Sequence, residues 1–239
     1  MMEYLLYSTA MTASEKSILH ELLALAEGSI DGFRVAAPRP SFVDDIAGFT
    51  DLADLGEAVR ACVSCALAEG RLNAVPGEGP ADGRRVPVMV IGEGPGADED
   101  ATGRPFVGRA GQLLDKMLSA IGLSRAENCY IANIVKCRPP ENREPAPEEA
   151  AACRRFLESQ IALVRPRAIL ALGRTAAQNL LGTSEGINRL RGSWRDYRGI
   201  PVLPTYHPSA LLRDEALKRP AWEDLKEFRA RLDELLDGR

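Results

Sequence analysis

Four short apolar runs constrain the fold of this chain more than any other feature: VPVMVIG (86–92), YIANIV (130–135), AILALG (168–173) and IPVLPTYHP (200–208). Each is continuously apolar rather than alternating, so each predicts a strand covered on both faces. Helical spacing fills the intervals, over 110–121, 147–164, 174–181 and 220–236. Strands and helices in alternation predict an α/β fold, a four-stranded parallel sheet sandwiched between helices. In such sheets ligands bind outside the carboxyl ends of the strands. Those ends run into GEGPG, KCRPPENREP, GRTAAQNLLG and HPSALLR, so the chemistry is expected along that edge.

Ahead of the sheet, apolar positions spaced by three and four from Ile18 through Leu25 predict a helix within residues 1–30. The stretch 31–50 is rich in Gly, Pro and Asp and reads as a linker. The expected division is a helical and linker extension over 1–50 and one domain over 51–239. DLADLGEAVRACVSC then predicts a helix that leads into a cysteine pair. No run of about 18 apolar residues is present, so a membrane span is not expected. The N-terminus carries an early acid and no basic cluster, a poor secretory signal, and a cytoplasmic protein is expected.

A net charge of −4 at first argues against a nucleic-acid partner. The distribution reverses that argument, because the first 60 residues hold four basic and ten acidic side chains and the remainder is positive. Between Glu185 and Arg219 there are seven basic residues against four acidic ones, with Arg189, Arg191, Arg195 and Arg198 close in sequence. Local patches, not the whole-chain sum, set phosphate affinity. A solvated basic face is the alternative.

Five cysteines in a chain without a secretory signal argue against a disulfide framework. Cys62 and Cys65 form a C-x2-C pair, and Cys137 and Cys153 follow, 15 residues apart. Four such thiolates fit zinc or an iron–sulfur cluster, or they are small buried hydrophobes. Cys129 opens an apolar strand and reads as packing. GEGPG is neither a dinucleotide fingerprint nor a P-loop, because Ala97 replaces the third glycine, no Gly-Lys-Ser/Thr follows, and the acids Glu93, Asp98, Glu99 and Asp100 repel phosphate. Phe106, in GRPFVG, is either core or a surface on which a planar base stacks. Asn133 interrupts an apolar strand; its amide must bond a neighbouring loop or read the amide-like edge of a pyrimidine. His207 follows the last strand, opposite a Glu-containing turn, whereas His20 lies on an amphipathic helix and reads as structural.

The ordered set GEGPGADEDATGRPFVGRAGQLLD, YIANIVKCRPPENREP, C-x2-C with two later cysteines, and HPSALLR closely resembles the family 4 uracil-DNA glycosylases, over residues 58–235. The resemblance implies a 4Fe-4S cluster on Cys62, Cys65, Cys137 and Cys153, chiefly structural, with Cys129 outside the ligand set. It implies that uracil flips out of DNA into a slot lined by the Gly92–Gly96 backbone, including Gly94. Phe106 stacks on the ring, Asn133 bonds the O4 and N3 edge, and Glu99 lies near C5 to refuse thymine's methyl. His207 stabilises charge developing on O2, assisted by backbone N–H groups. Many members read GEAPG, and more distant glycosylases carry a carboxylate where this chain has Gly94. That role must pass to Glu93, to Glu99 or to DNA phosphates. HPSALLR supplies the wedge for the vacated stack: Leu211, Leu212 or Arg213. A branch that traps DNA through a histidine in an inserted loop is disfavoured, because RPPENREPAPEE has none. The partners implied are uracil-containing DNA, single- or double-stranded, and no membrane, for a monomer associated with the nucleoid in a prokaryote. The competing expectation is a non-catalytic iron–sulfur protein that binds nucleic acid or passes electrons, for which Asn133 and His207 have no use.

Overall fold

A computed structural model describes residues 48–237. The helix expected within 1–30, most of the linker and His20 lie outside the described residues. The first described helix, α1 (Leu52–Ala61), is capped by Asp51, whose carboxylate accepts from the backbone N–H of Ala53 and Asp54, each at 2.9 Å. It delivers Cys62 at its carboxyl end, and a one-turn helix, α2 (Leu67–Gly70), follows the C-x2-C pair.

Four strands form where the apolar runs predicted them: β1 (Val88–Gly92), β2 (Cys129–Asn133), β3 (Ala168–Leu172) and β5 (Ile200–Thr205). They are parallel to one another, in the order β2-β1-β3-β5. The connections carry α3 (Ala97–Thr102) and α4 (Arg109–Ser119), then α5 (Pro147–Val164), then α6 (Gly173–Leu181) and α7 (Ile187–Leu190). Every residue of β1, β2 and β3 is buried. Alternate residues feed two cores, one on each face. Met89, Ile91, Ala132, Ile169 and Ala171 pack with Leu55 and Val59 of α1 and Phe156 and Ile161 of α5. Val88, Val90, Ile131, Leu170 and Leu203 pack with Leu114 and Leu118 of α4 and with Phe228 and Leu232 of α9 (Lys218–Asp237). Continuous apolar runs are required because neither face meets water.

The sheet has five strands, not four. The fifth, β4 (Arg195–Tyr197), pairs antiparallel with β5 at the edge. It has three residues, none of them buried, so it leaves no apolar run to read. Its turn is Arg198–Gly199, with φ of 50° and 81°, the two positive values that a two-residue hairpin of matching twist needs.

Candidate active site

At the carboxyl edge of the four parallel strands, the turns that follow them enclose a cavity of about 580 Å³. Its wall takes Glu93–Gly96 after β1, Asn133 and Pro139 after β2, Gly173–Thr175 after β3, and Tyr206 and His207 after β5. Gly92 stands behind this wall rather than in it. A Cβ there would lie 2.5 Å from Asn133 Oδ1 and 2.5 Å from Phe106 Cζ, so only glycine lets these two side chains close on the end of β1.

Phe106 is 6% exposed and held at φ 53°, a left-handed conformation costly for an aromatic residue. Several contacts hold it there. Glu99 Oε1 accepts from the backbone N–H of Val107 (2.8 Å) and Gly108 (2.9 Å), while Oε2 accepts from Gly96 N–H (3.0 Å). Arg125 donates to the carbonyls of Pro105 and Phe106 at 2.7 and 2.8 Å. Gly111 of α4 admits the Phe106 carbonyl at a position where a Cβ would stand 1.9 Å away. Glu99 therefore fastens the GRPFVG loop to the GEGPG turn. Both of its oxygens are taken by backbone donors.

Asn133 is 1% exposed, and its Oδ1 has no hydrogen-bond partner among the described residues. A buried amide oxygen left unpaired costs roughly 1–3 kcal/mol. Its backbone is well held: Lys136, fully buried, donates from Nζ to the Asn133 carbonyl at 2.7 Å and to Gln160 Oε1 at 2.6 Å. The main chain of Asn133 is thus locked, while its side-chain oxygen, packed against Gly92 at the end of β1 in a residue that lines the cavity, has no partner among the described residues.

His207 caps α8 (Pro208–Arg213), and its ring lies 5.6 Å from that of Phe106, centroid to centroid. Nδ1 accepts from Ser209 N–H at 3.2 Å, with Ser209 Oγ at 2.8 Å. A neutral ring that accepts at Nδ1 carries its proton on Nε2. Burial and the nearby Arg213 guanidinium push the His207 pKa down to about 4, against the opposing pull of Glu99. The ring is a neutral Nε2–H donor at physiological pH.

Thr175, in the first turn of α6, places its hydroxyl 2.6 Å from Glu93 Oε2 and 2.9 Å from Glu144 Oε1. Arg174 donates to Glu144 Oε2 at 2.6 Å. Glu93 Oε1 has no partner among the described residues, in contrast to the two engaged oxygens of Glu99.

Comparison with known proteins shows the family. Residues 76–226 match the sequence model of the Uracil DNA glycosylase superfamily. The type-4 uracil-DNA glycosylase of Thermotoga maritima is 47% identical over 180 residues, covering 74% of this chain and 92% of that protein. This chain belongs to the type-4 branch of the uracil-DNA glycosylase superfamily. The type-4 uracil-DNA glycosylase of Pyrobaculum aerophilum is 43% identical over 198 residues, 78% of this chain and 98% of that protein. A type-5 enzyme of the same organism is 38% identical over 141 residues, 52% of this chain and 62% of its own length.

In this type-4 chain the three wedge candidates divide. Leu211 is 2% exposed and belongs to the α4/α9 core, so it cannot enter DNA. Leu212 and Arg213 face outward. The basic cluster read from the sequence also divides. Arg191 is occupied by Asp224 and the Pro220 carbonyl, and Arg198, paired with Glu158, sits at the amino end of β5, away from the cavity. The arginines that line the cavity are Arg143, paired with Glu149, Arg174, paired with Glu144, and Arg213. Sequence reasoning missed Arg143, Arg174, Thr175 and Lys136, although all four lie at or just beyond the strand ends it had marked.

Four of the five cysteines of this type-4 chain meet beside the carboxyl end of α1. Cys62, Cys65, Cys137 and Cys153 line one small cavity with Arg71 and Lys136. Arg71 donates to Cys137 Sγ at 2.9 Å. No three His, Cys, Asp or Glu side chains among the described residues close on a point as a single ion needs. Cys129 is fully buried in the sheet, and burial pushes its thiol up to about 12. No helix among the described residues is long and apolar enough to cross a membrane.

Proposed function

We propose that this chain is a DNA-repair glycosylase that turns uracil out of DNA, hydrolyses its N-glycosidic bond and leaves an abasic site. The observation that carries the reading is Asn133 Oδ1, a buried acceptor without a partner at the cavity wall. Uracil N3–H is a donor of the kind that atom lacks, and the Asn133 amide can in turn donate to O4. Cytosine reverses both roles and leaves two like groups facing each other, which is the stronger kind of discrimination.

Phe106 offers a face for stacking, at about 1–3 kcal/mol per base. His207 donates from Nε2 to O2. As the C1′–N1 bond breaks, its electron pair passes onto the base, and the neutral donor stabilises the anion without having to lose a full positive charge. Glu93, with Oε1 unengaged, is the carboxylate that orients water toward C1′ and takes its proton. Glu99 organises the loop instead, since its oxygens are occupied. Leu212 and Arg213 fill the vacated stack, and the arginines around the cavity take phosphates.

Cys62, Cys65, Cys137 and Cys153 fit a 4Fe-4S cluster. The support is four thiols from three segments around one cavity, an Arg71 N–H on Cys137 Sγ, and buried Lys136 beside them, a cationic shell suited to an anionic cluster. When bound, that group supplies a covalent tie between the end of α1, the loop after β2 and α5. The same reading has the protein act as a monomer on chromosomal DNA.

The test is incubation of the loaded protein with labelled oligonucleotides that carry one uracil opposite G, opposite A or in a single strand, followed by alkaline cleavage. Cutting at uracil but not at thymine or cytosine is the expected result. Equal cutting at all three, or none by a folded protein with its cluster, contradicts it.

A further inference from the structure

Thr175 poses a proton-counting problem. Its hydroxyl has one proton, yet it lies within hydrogen-bond distance of two carboxylates, Glu93 Oε2 at 2.6 Å and Glu144 Oε1 at 2.9 Å. It can donate to only one of them. The other contact then sets lone pair against lone pair, unless a second proton enters. Arg174 decides the direction, because it already compensates Glu144 through Oε2. The hydroxyl proton goes to the closer and uncompensated partner, Glu93. Thr175 is itself buried, whereas the Glu144 side chain is 44% exposed and reaches water, which leaves the hydroxyl proton to Glu93.

We propose that Thr175 is a positioning residue that aims the Glu93 carboxylate, and that Glu144 is its built-in competitor for the same proton. The inference rests on the proposed role of Glu93. It goes further by naming what sets that group's orientation. Fixing Oε2 on Thr175 leaves Oε1 as the oxygen offered to the cavity. A second carboxylate, Glu144, stands on the far side of the same hydroxyl. The other titratable and charged groups lining the cavity are Glu99 on α3, Arg143 in the loop after β2, Arg174 on α6, Tyr206 after β5, His207 at the cap of α8 and Arg213 on α8. Substitution at Thr175 leaves all of these in place.

The experiment measures single-turnover uracil cleavage and DNA affinity by anisotropy, on the loaded full chain. Thr175→Val is expected to cleave about tenfold more slowly, because the carboxylate is no longer aimed. Its DNA affinity should stay unchanged. Thr175→Ser should restore the rate. Glu144→Gln, which removes the competitor, should cleave no more slowly than wild type. A wild-type rate in Thr175→Val, or a Ser variant as poor as the Val variant, overturns the proposal. The carbon NMR signal of the Glu93 carboxyl in the same variants reads the contact without activity. A protein silent on uracil therefore defeats the functional reading alone, and an identical Glu93 carboxyl signal in wild type and Thr175→Val defeats this one.

Discussion

At His207 the fold sets the charge before any substrate arrives, because burial and the Arg213 guanidinium hold its pKa down to about 4. The unfolded chain takes up that proton near the ordinary histidine value of about 6.5, so the unfolded state binds more protons between the two. Stability contributed at this site is therefore complete above about 6.5 and is lost as pH falls toward 4. Urea unfolding of wild type and His207→Asn should show a stability difference that changes over this window and is constant above it. Uracil cleavage should likewise carry no His207-dependent limb between pH 6 and 8, about the range in which an ordinary histidine titrates. At this scale the sequence was informative where chemistry and position coincide. Asn133 inside an apolar strand and His207 at the end of another are anomalies visible in one dimension. Thr175 is not, since a threonine in the first turn of a helix is unremarkable until Glu93 and Glu144 are seen to converge on it. Leu211 and Leu212 are adjacent and identical, and only the helix phase shows that one is core and the other exposed.

The loop and helix that carry Phe106 are held by interactions that sequence patterns do not display. Glu99 accepts three backbone N–H groups across two turns, and Gly111 yields its side-chain volume to the Phe106 carbonyl. Glu99→Gln keeps the shape but loses the charge assistance, and should cost about 1–3 kcal/mol in thermal or urea unfolding. Gly111→Ala drives a methyl into backbone and should cost about 1–3 kcal/mol or more, with uracil cleavage falling further than DNA binding because Phe106 is displaced. A cost near zero in Gly111→Ala would contradict the packing described. Strands β1, β2, β3 and β5 and helix α5 were legible because each has a long, strongly apolar signature. The hairpin strand β4 was not, because a three-residue exposed edge is fixed by its Arg198–Gly199 turn and by pairing with β5, and carries no pattern of its own.

For the molecule as a whole, charge placement outweighs charge count. Arg143, Arg174 and Arg213 line the cavity on the carboxyl side of the sheet, while Arg198 lies at its amino end. Each cavity arginine that meets a phosphate should, on substitution by Gln, reduce the slope of log K against log salt by about 1, and Arg198→Gln should leave it unchanged. Four cysteines meet at the same scale, from the end of α1, the loop after β2 and α5. With the proposed cluster bound, Cys153→Ser should abolish the visible absorbance and lower the melting temperature. These long-range meetings were readable only as spacing, which is why zinc and a cluster fit the sequence equally well. The central claim is that a sheet edge gathers one buried, unpaired amide to read uracil. The most direct measurement is the single-turnover cleavage rate of uracil DNA by wild type and Asn133→Ala, with DNA affinity and the melting curve in parallel. The account predicts a loss of about 100-fold or more in rate, with folding and DNA affinity retained. An Asn133→Ala variant that cleaves uracil at the wild-type rate would contradict it.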